Sequence, residues 1–72
     1  MNITLEMVQT VLDALKDQGL DSREIARRLE LHQVHSNARS LRHWYSGKTQ
    51  CRTVEYMALR ELNANLEGGN GP

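Results

Sequence analysis

The apolar residues of this chain recur at intervals of three and four positions, and that spacing restricts the fold more than any other feature. In the first twenty residues, Val8, Leu12 and Leu15 follow this rule and share one face of a helix. No stretch alternates apolar and polar residues for long enough to form a half-buried strand. The sequence therefore predicts an all-α fold.

Residues that start and stop helices divide the chain into a compact bundle of four or five short helices. Thr4 can cap the first helix, Gly19 suits its end, and Asp21 with Glu24 three positions later resembles a capping box. The other boundaries are a second helix starting at Asp21 or Ser22, a third over 38–46 ended by Gly47, and a fourth from Val54 to about Leu66, capped by Thr53. Between the second and third helices we expect a loop, or a second helix that continues through His32 and Gln33.

The length of 72 residues allows one domain, expected over residues 1–67, followed by a flexible Gly-rich tail or cloning remnant over residues 68–72. A single Cys excludes an internal disulfide. No apolar run approaches the ~20 residues that span a bilayer, and the N-terminus lacks the basic and apolar regions of a secretory signal. We therefore expect a cytoplasmic protein.

Positive charge is concentrated in the middle of a chain whose net charge is zero. Residues 1–30 carry −2 (four bases and six acids), residues 31–52 carry +4 (four bases and no acid), and residues 53–72 carry −2 (one base and three acids). The central segment also holds all three histidines. Such a local concentration indicates a binding surface for an anion.

The third predicted helix carries most of this charge on one side. Arg39, Ser40 and His43 share a face on a helical wheel, with Arg42 on its flank and Asn37 at the N-terminus. The opposite, apolar stripe consists of Ala38, Leu41, Trp44 and Tyr45. A face of Arg, Ser and Asn without carboxylates can read base edges in a DNA major groove. The alternative is an ordinary solvent-exposed surface.

Further polar residues lie on both sides of this helix. The side chains predicted to hold DNA phosphates are Gln33, Arg42, Lys48, Thr49 and Arg52. For Lys48 the alternative is a simple exposed loop lysine. His32, His35 and Cys51 are too few and wrongly spaced for a structural zinc site. No nucleophile with a base and no phosphate loop stands out, so we expect neither enzyme activity nor a metal or cofactor.

The string "SREIARRLEL" followed by "ARSLRHWYSGKT" resembles the helix-turn-helix of the lambda repressor and Cro superfamily. The Trp-x-Ser-Gly-Lys string at the C-terminal end of the third helix, which we call the exit of that helix, also resembles small phage autorepressors found beside anti-CRISPR genes. The resemblance spans residues 20–62 and implies a dimeric transcriptional repressor that binds double-stranded DNA at an inverted-repeat operator. The chain departs from the family in two places: Glu30 stands where many members have a Gly, and there are about five additional residues between Ala26 and Trp44. These departures predict a longer turn, or a longer first (bracing) helix of the helix-turn-helix.

The fourth helix bears two apolar sets, and this suggests a homodimer. Val54, Met57 and Leu62 belong to the predicted core stripe, whereas Tyr56 and Leu59 project elsewhere. We expect the second set to contact another copy of the chain, with packing against the first helix as the alternative. A rival function for the whole chain is a helical protein-binding module, or a phage inhibitor, that turns its basic face to an acidic protein.

Overall fold

The computed structural model of the protein describes residues 2–67, and every regular element in that range is a helix. The helices are α1 (Leu5–Asp17), α2 (Ser22–Leu31), α3 (Ala38–Ser46) and α4 (Thr53–Glu67). The predicted all-α bundle is thus confirmed, with four helices in the described range. None of these helices is long and apolar enough to cross a membrane. The predicted Gly-rich tail, residues 68–72, lies outside the described residues.

The first two helices begin where their capping residues predicted. The Thr4 hydroxyl accepts a hydrogen bond from the Met7 amide at 3.2 Å, and the Asp21 carboxylate accepts one from the Glu24 amide at 2.8 Å. Each bond satisfies an amide that has no partner within its own helix. The sequence rule for helix starts therefore holds for α1 and α2.

A different group caps α4. Its first hydrogen bond runs from the Tyr56 amide to the Arg52 carbonyl at 2.9 Å, so Arg52 takes the cap position and Thr53 is already helical. The Glu55 carboxylate accepts a hydrogen bond from the Arg52 amide at 2.8 Å. This is the returning half of a capping box, and it keeps Glu55 buried. The predicted cap at Thr53 was wrong by one residue.

The end of α1 follows a standard helix-stop geometry. Gly19 has a φ of 95°, which is unfavourable for residues with a Cβ. The next amide, that of Leu20, donates to the Leu15 carbonyl at 3.3 Å, and both of these leucines are buried. This arrangement is a Schellman motif with its usual apolar contact.

The end of α2 repeats that geometry without a glycine. Gln33 has a φ of 62°, and the following Val34 amide donates to the Leu29 carbonyl at 3.0 Å. Val34 and Leu29 are both buried. The helix ends at Leu31 and residues 32–37 connect it to α3, so His32 and Gln33 do not continue α2. Of the two alternatives for the region between the second and third helices, the structure therefore has the loop.

The core lies where the four helices meet. Both α1 and α2 pack against both α3 and α4. The most deeply buried large side chains come from all four helices: Leu12, Leu15, Ile25, Leu29, Leu41 and Leu59. The described bundle measures 36 × 22 × 22 Å.

In α4 the structure overturns part of the predicted assignment of the two apolar sets: Leu62 of the predicted core stripe is buried, but Val54 and Met57 are not. Leu59 is 0% exposed and Tyr56 is 7% exposed, whereas Val54 and Met57 are 60% and 47% exposed. Tyr56 lies beside α1, sharing a groove with Met7. The prediction that Tyr56 and Leu59 form a dimer interface is therefore wrong, because both are in the core of a single chain.

We predict that Gln33→Gly stabilises the fold by about 0.5–1 kcal/mol. The left-handed backbone at Gln33 costs a residue with a Cβ roughly 1–2 kcal/mol, and the greater freedom of glycine in the unfolded chain offsets part of that gain. Thermal unfolding followed by circular dichroism should show a melting temperature several degrees higher.

Gly19→Ala is the matched control. A Cβ at Gly19 would meet no atom within 4 Å, so the substitution tests backbone strain alone. It should lower stability by about 1 kcal/mol. A lower melting temperature for Gln33→Gly would contradict the prediction and would show that the Gln33 side chain makes a stabilising contact.

Candidate functional site

Helix α3 is held in the predicted register. The Asn37 side chain caps it by accepting a hydrogen bond from the Ser40 amide at 2.8 Å. Leu41 and Trp44 are buried between the other helices. Gly47, with a φ of 82°, ends the helix. A helix of nine residues is unstable by itself, so these contacts determine which side chains it exposes.

The predicted binding face is accessible, although unevenly. Arg39 and Arg42 are exposed, whereas Ser40 and His43 are half-buried. Asn37 is exposed as well, but its amide oxygen is already engaged in the cap. A bidentate contact to adenine needs both the oxygen and the nitrogen of the amide, so the cap competes with the predicted base-reading role of Asn37.

The cations at α3 differ from Arg27, Arg28 and Arg52 of the described chain because no carboxylate neutralises them. Within residues 2–67, the charged groups of Arg39, Arg42 and Lys48 take part in no ion pair or hydrogen bond. Arg52, also predicted to hold phosphate, lies 3.3 Å from the Glu55 carboxylate. This pairing offsets the charge of Arg52, unlike the charges of Arg42 and Lys48.

A groove between α2 and the start of α3 adds arginines that the sequence argument did not include. Arg23 and Arg27 line this groove together with Arg39. Arg23 is exposed and has no ion-pair partner among the described residues, whereas Arg27 shares the Glu24 carboxylate with Arg28. The helical spacing of α2 could have suggested Arg23, but only packing shows that this side of α2 faces α3.

The ion pairs of Glu24 persist over a wide pH range. Hydrogen bonds from Arg27 and Arg28 lower the pKa of the Glu24 carboxyl from 4.5 to about 2. Because the pKa of Glu24 is lower in the folded protein than in the unfolded chain, its ionised carboxylate stabilises the fold at pH values above about 4.5. This stabilisation is lost as the pH falls through about 2. At neutral pH Glu24 is therefore ionised and paired with both arginines, and its single negative charge offsets one of their two positive charges.

The opposite flank of α3 is formed by α1. The Lys16 ammonium lies 5.3 Å from the centre of the Tyr45 ring, a cation–π distance, and Lys16 lines a groove with Arg42. The Tyr45 hydroxyl donates to the Asp13 carboxylate at 3.1 Å, and this bond raises the pKa of Tyr45. Lys16 stands 29 positions before Tyr45 in the sequence, which is why the sequence did not place it at the site.

The remaining predicted residues lie beyond the two ends of α3. Lys48 and Thr49 are exposed just after Gly47, and the Thr49 amide donates to the His43 carbonyl at 3.3 Å. Gln33 is exposed in the connection that precedes the helix. The structure thus groups Lys48 and Thr49 with the C-terminal end of α3 and keeps Gln33 in the preceding turn.

The histidines and the cysteine that a metal site would need occupy separate contacts. The Nδ1 atom of His32 lies 3.5 Å from the Glu61 carboxylate, and that of His35 lies 3.5 Å from the Glu30 carboxylate. Cys51 is buried. Within residues 2–67 no three potential ligands converge.

We predict that Cys51 reacts with iodoacetamide far more slowly in the folded protein than in denaturant. Burial, with the nearby Glu55 carboxylate, raises the pKa of the thiol to about 12, and the thiolate is the reactive form. At about pH 8 the ratio of rates should be roughly a hundredfold or more. Mass spectrometry of the labelled chain measures it, and comparable rates in the two states would contradict the burial of Cys51.

Comparisons with known proteins add no relative to this description. No protein-family model matches the chain, and no curated protein or solved structure matches it either. Inference about function therefore depends on the uncompensated cations around α3 and on the resemblance carried by its own residues.

Proposed function

We propose that the chain is a sequence-specific regulator that binds double-stranded DNA, with α2 and α3 acting as a helix-turn-helix. One observation carries the proposal: α3 is anchored by its apolar side and exposes Arg39 and Arg42, which no carboxylate neutralises in the described chain. Such a helix offers donors to base edges and meets phosphates without repulsion.

The dimensions of the helix agree with this role. An α-helix with its side chains is about 10–12 Å across, and the major groove of B-DNA is about 12 Å wide. Arg23 on α2 and Lys16 on α1 lie on the two flanks of α3. With α3 in the groove, these two cations would face the two phosphate backbones that border it.

The proposed roles divide the site by position. Arg39, Ser40 and His43 contact bases, while Arg42 and the exit residues Lys48 and Thr49 hold phosphates. Gln33 and Arg52 are outer phosphate contacts, and Asn37 contributes mainly as the cap of α3. No cofactor is required for this kind of binding, since hydrogen bonds and charge supply both affinity and specificity.

The size of the domain favours a homodimer on an inverted-repeat operator. One module this small binds DNA weakly, and two recognition helices reach successive major grooves about 34 Å apart when the protein is symmetric. Occupancy of such an operator would block transcription, as in the phage-type autorepressors that the α3 exit resembles. The exposed Val54 and Met57 are the new candidates for the dimer contact.

Duplex binding at several salt concentrations separates this proposal from a protein-binding module. A DNA-binding protein binds even random duplexes at low salt, and the logarithm of its association constant falls linearly with the logarithm of the salt concentration. A module for acidic proteins shows no duplex binding under those conditions. Selection of bound sequences from a random duplex pool then identifies the operator.

We predict that Arg39→Ala weakens operator binding by roughly 1–3 kcal/mol and relaxes base preference at one position of each half-site, because a bidentate arginine contact is lost. Arg28→Ala is the matched control: it removes one charge, but Arg28 is paired with Glu24 and does not line the groove that Arg39 shares with Arg23 and Arg27. Equal losses for the two variants would contradict base reading by Arg39.

Lys48→Ala should have a different signature. As a phosphate contact, Lys48 should contribute equally to operator and random duplexes, and its loss should lower the logarithmic salt slope by about one unit. Fluorescence anisotropy with both duplexes over a salt series measures the two effects. A loss confined to the operator would assign Lys48 to base recognition instead.

A further inference from the structure

Three arginines from two helices line the groove between α2 and the start of α3. Arg23 and Arg27 belong to α2, where a spacing of four residues puts them on one side of the helix, and Arg39 forms the opposite wall. All three are exposed. Among the described residues, the one acid that lines this groove is Glu30. We call the surface formed by Arg23, Arg27, Glu30 and Arg39 the arginine groove.

More positive than negative charge converges on the arginine groove. Arg23 and Arg39 form no ion pair within residues 2–67. The Glu30 carboxylate lies 3.5 Å from the Nδ1 atom of His35. Like charges that share a groove repel one another, and an anion bound among them replaces that repulsion with attraction. The groove therefore favours an anion over a cation or a neutral group.

Arg27 is held in place while part of its guanidinium stays free to bind. Its Nε atom donates to one oxygen of the Glu24 carboxylate at 3.1 Å, and a terminal nitrogen donates to the other oxygen. These bonds orient the guanidinium and use two of its five N–H donors, so three remain for a ligand. Because Arg28 bonds the same carboxylate, Glu24 does not cancel the charges of both arginines.

The chemistry of the groove fits a phosphate group. A guanidinium presents parallel N–H donors that match two oxygens of a phosphate. The oxygens of a phosphate group point in different directions, so more than one arginine can bind it at once. The groove also opens at the N-terminal end of α3, whose first turn contains no acid. The positive end of the helix dipole there adds to the attraction for an anion.

We propose that the arginine groove is a phosphate-binding site in which Arg23 and Arg27 hold the phosphate group. Free phosphate and the phosphodiester of a DNA backbone share this chemistry. The choice of DNA as the source rests on the proposed function, in which α3 lies in the major groove. In that complex a phosphate held by Arg23 and Arg27 would fix the position of the duplex beside Arg39, which contacts a base.

An NMR titration of the full chain with inorganic phosphate tests the site without DNA. At constant ionic strength and neutral pH, phosphate should shift the Nε–H signals of Arg23 and Arg27, with a dissociation constant in the millimolar range. Arg23→Gln and Arg27→Gln should each raise that constant by about tenfold, since each removes a charge-assisted hydrogen bond. Arg60→Gln is the control, because it removes the same charge from α4, where Arg60 lines a different groove. Its dissociation constant should match that of the wild type.

Arg27→Lys separates a built site from a diffuse positive field. The lysine keeps the charge but lacks the fork of N–H donors, so the dissociation constant for phosphate should rise by about threefold or more. Circular dichroism confirms that each variant is folded. A wild-type chain whose two arginine signals do not respond to phosphate would overturn the proposal. An Arg27→Lys variant that binds phosphate as tightly as the wild type would overturn it as well.

A second titration, with a random-sequence duplex, identifies the source of the phosphate. If the source is the DNA backbone, the duplex should shift the same two arginine signals, and Arg23→Gln should lower the logarithmic salt slope by about one unit. A duplex that binds without shifting them would support the site with free phosphate as its ligand. A chain that binds phosphate here but no duplex would overturn the proposed function alone. A chain that binds duplexes but shows no response to phosphate would overturn the phosphate site alone.

Discussion

The burial of one side of α3 is the constraint on which the described structure and its proposed function both depend. Leu41 and Trp44 fix the rotation of this short helix against α1 and α2. Because a helix of nine residues gains most of its stability from such packing, its free side cannot turn away from solvent. Arg39 and Arg42 are therefore presented outward by the same contacts that fold the domain.

Electrostatic compensation decides which of the exposed cations remain available to a ligand. Glu24 engages Arg27 and Arg28, and Glu55 engages Arg52. Residues 31–52, which contain α3, include no acid, and Arg39 and Arg42 stay unpaired within the described residues. A chain of zero net charge can thus present a local positive surface, because most of its acids lie elsewhere along the sequence.

Local sequence signals predicted the elements well because their causes are local. Thr4, Asp21 and Asn37 cap helices through bonds to amides three positions later, and the register of α3 followed from its apolar spacing. The error over the apolar sets of α4 arose because its cause is tertiary. In α4 two apolar sets compete, and contact with α1 and α2 decides that Leu59 is buried and Met57 exposed. The carboxylate of Glu55 is buried because it caps the helix. A pattern of hydrophobic residues cannot predict the burial of a charged side chain.

The separation of the proposed DNA contacts from the candidate dimer contact has a consequence for regulation. Val54 and Met57, the candidates for the dimer contact, are not among the proposed DNA contacts, so pairing through them would leave those side chains free to bind DNA. A small helix–helix contact without a large apolar core yields a weak dimer. Operator occupancy would then depend on monomer concentration to nearly the second power, since two copies must assemble for both half-sites to be filled. A repressor of its own gene built in this way would switch over a narrow range of its own concentration.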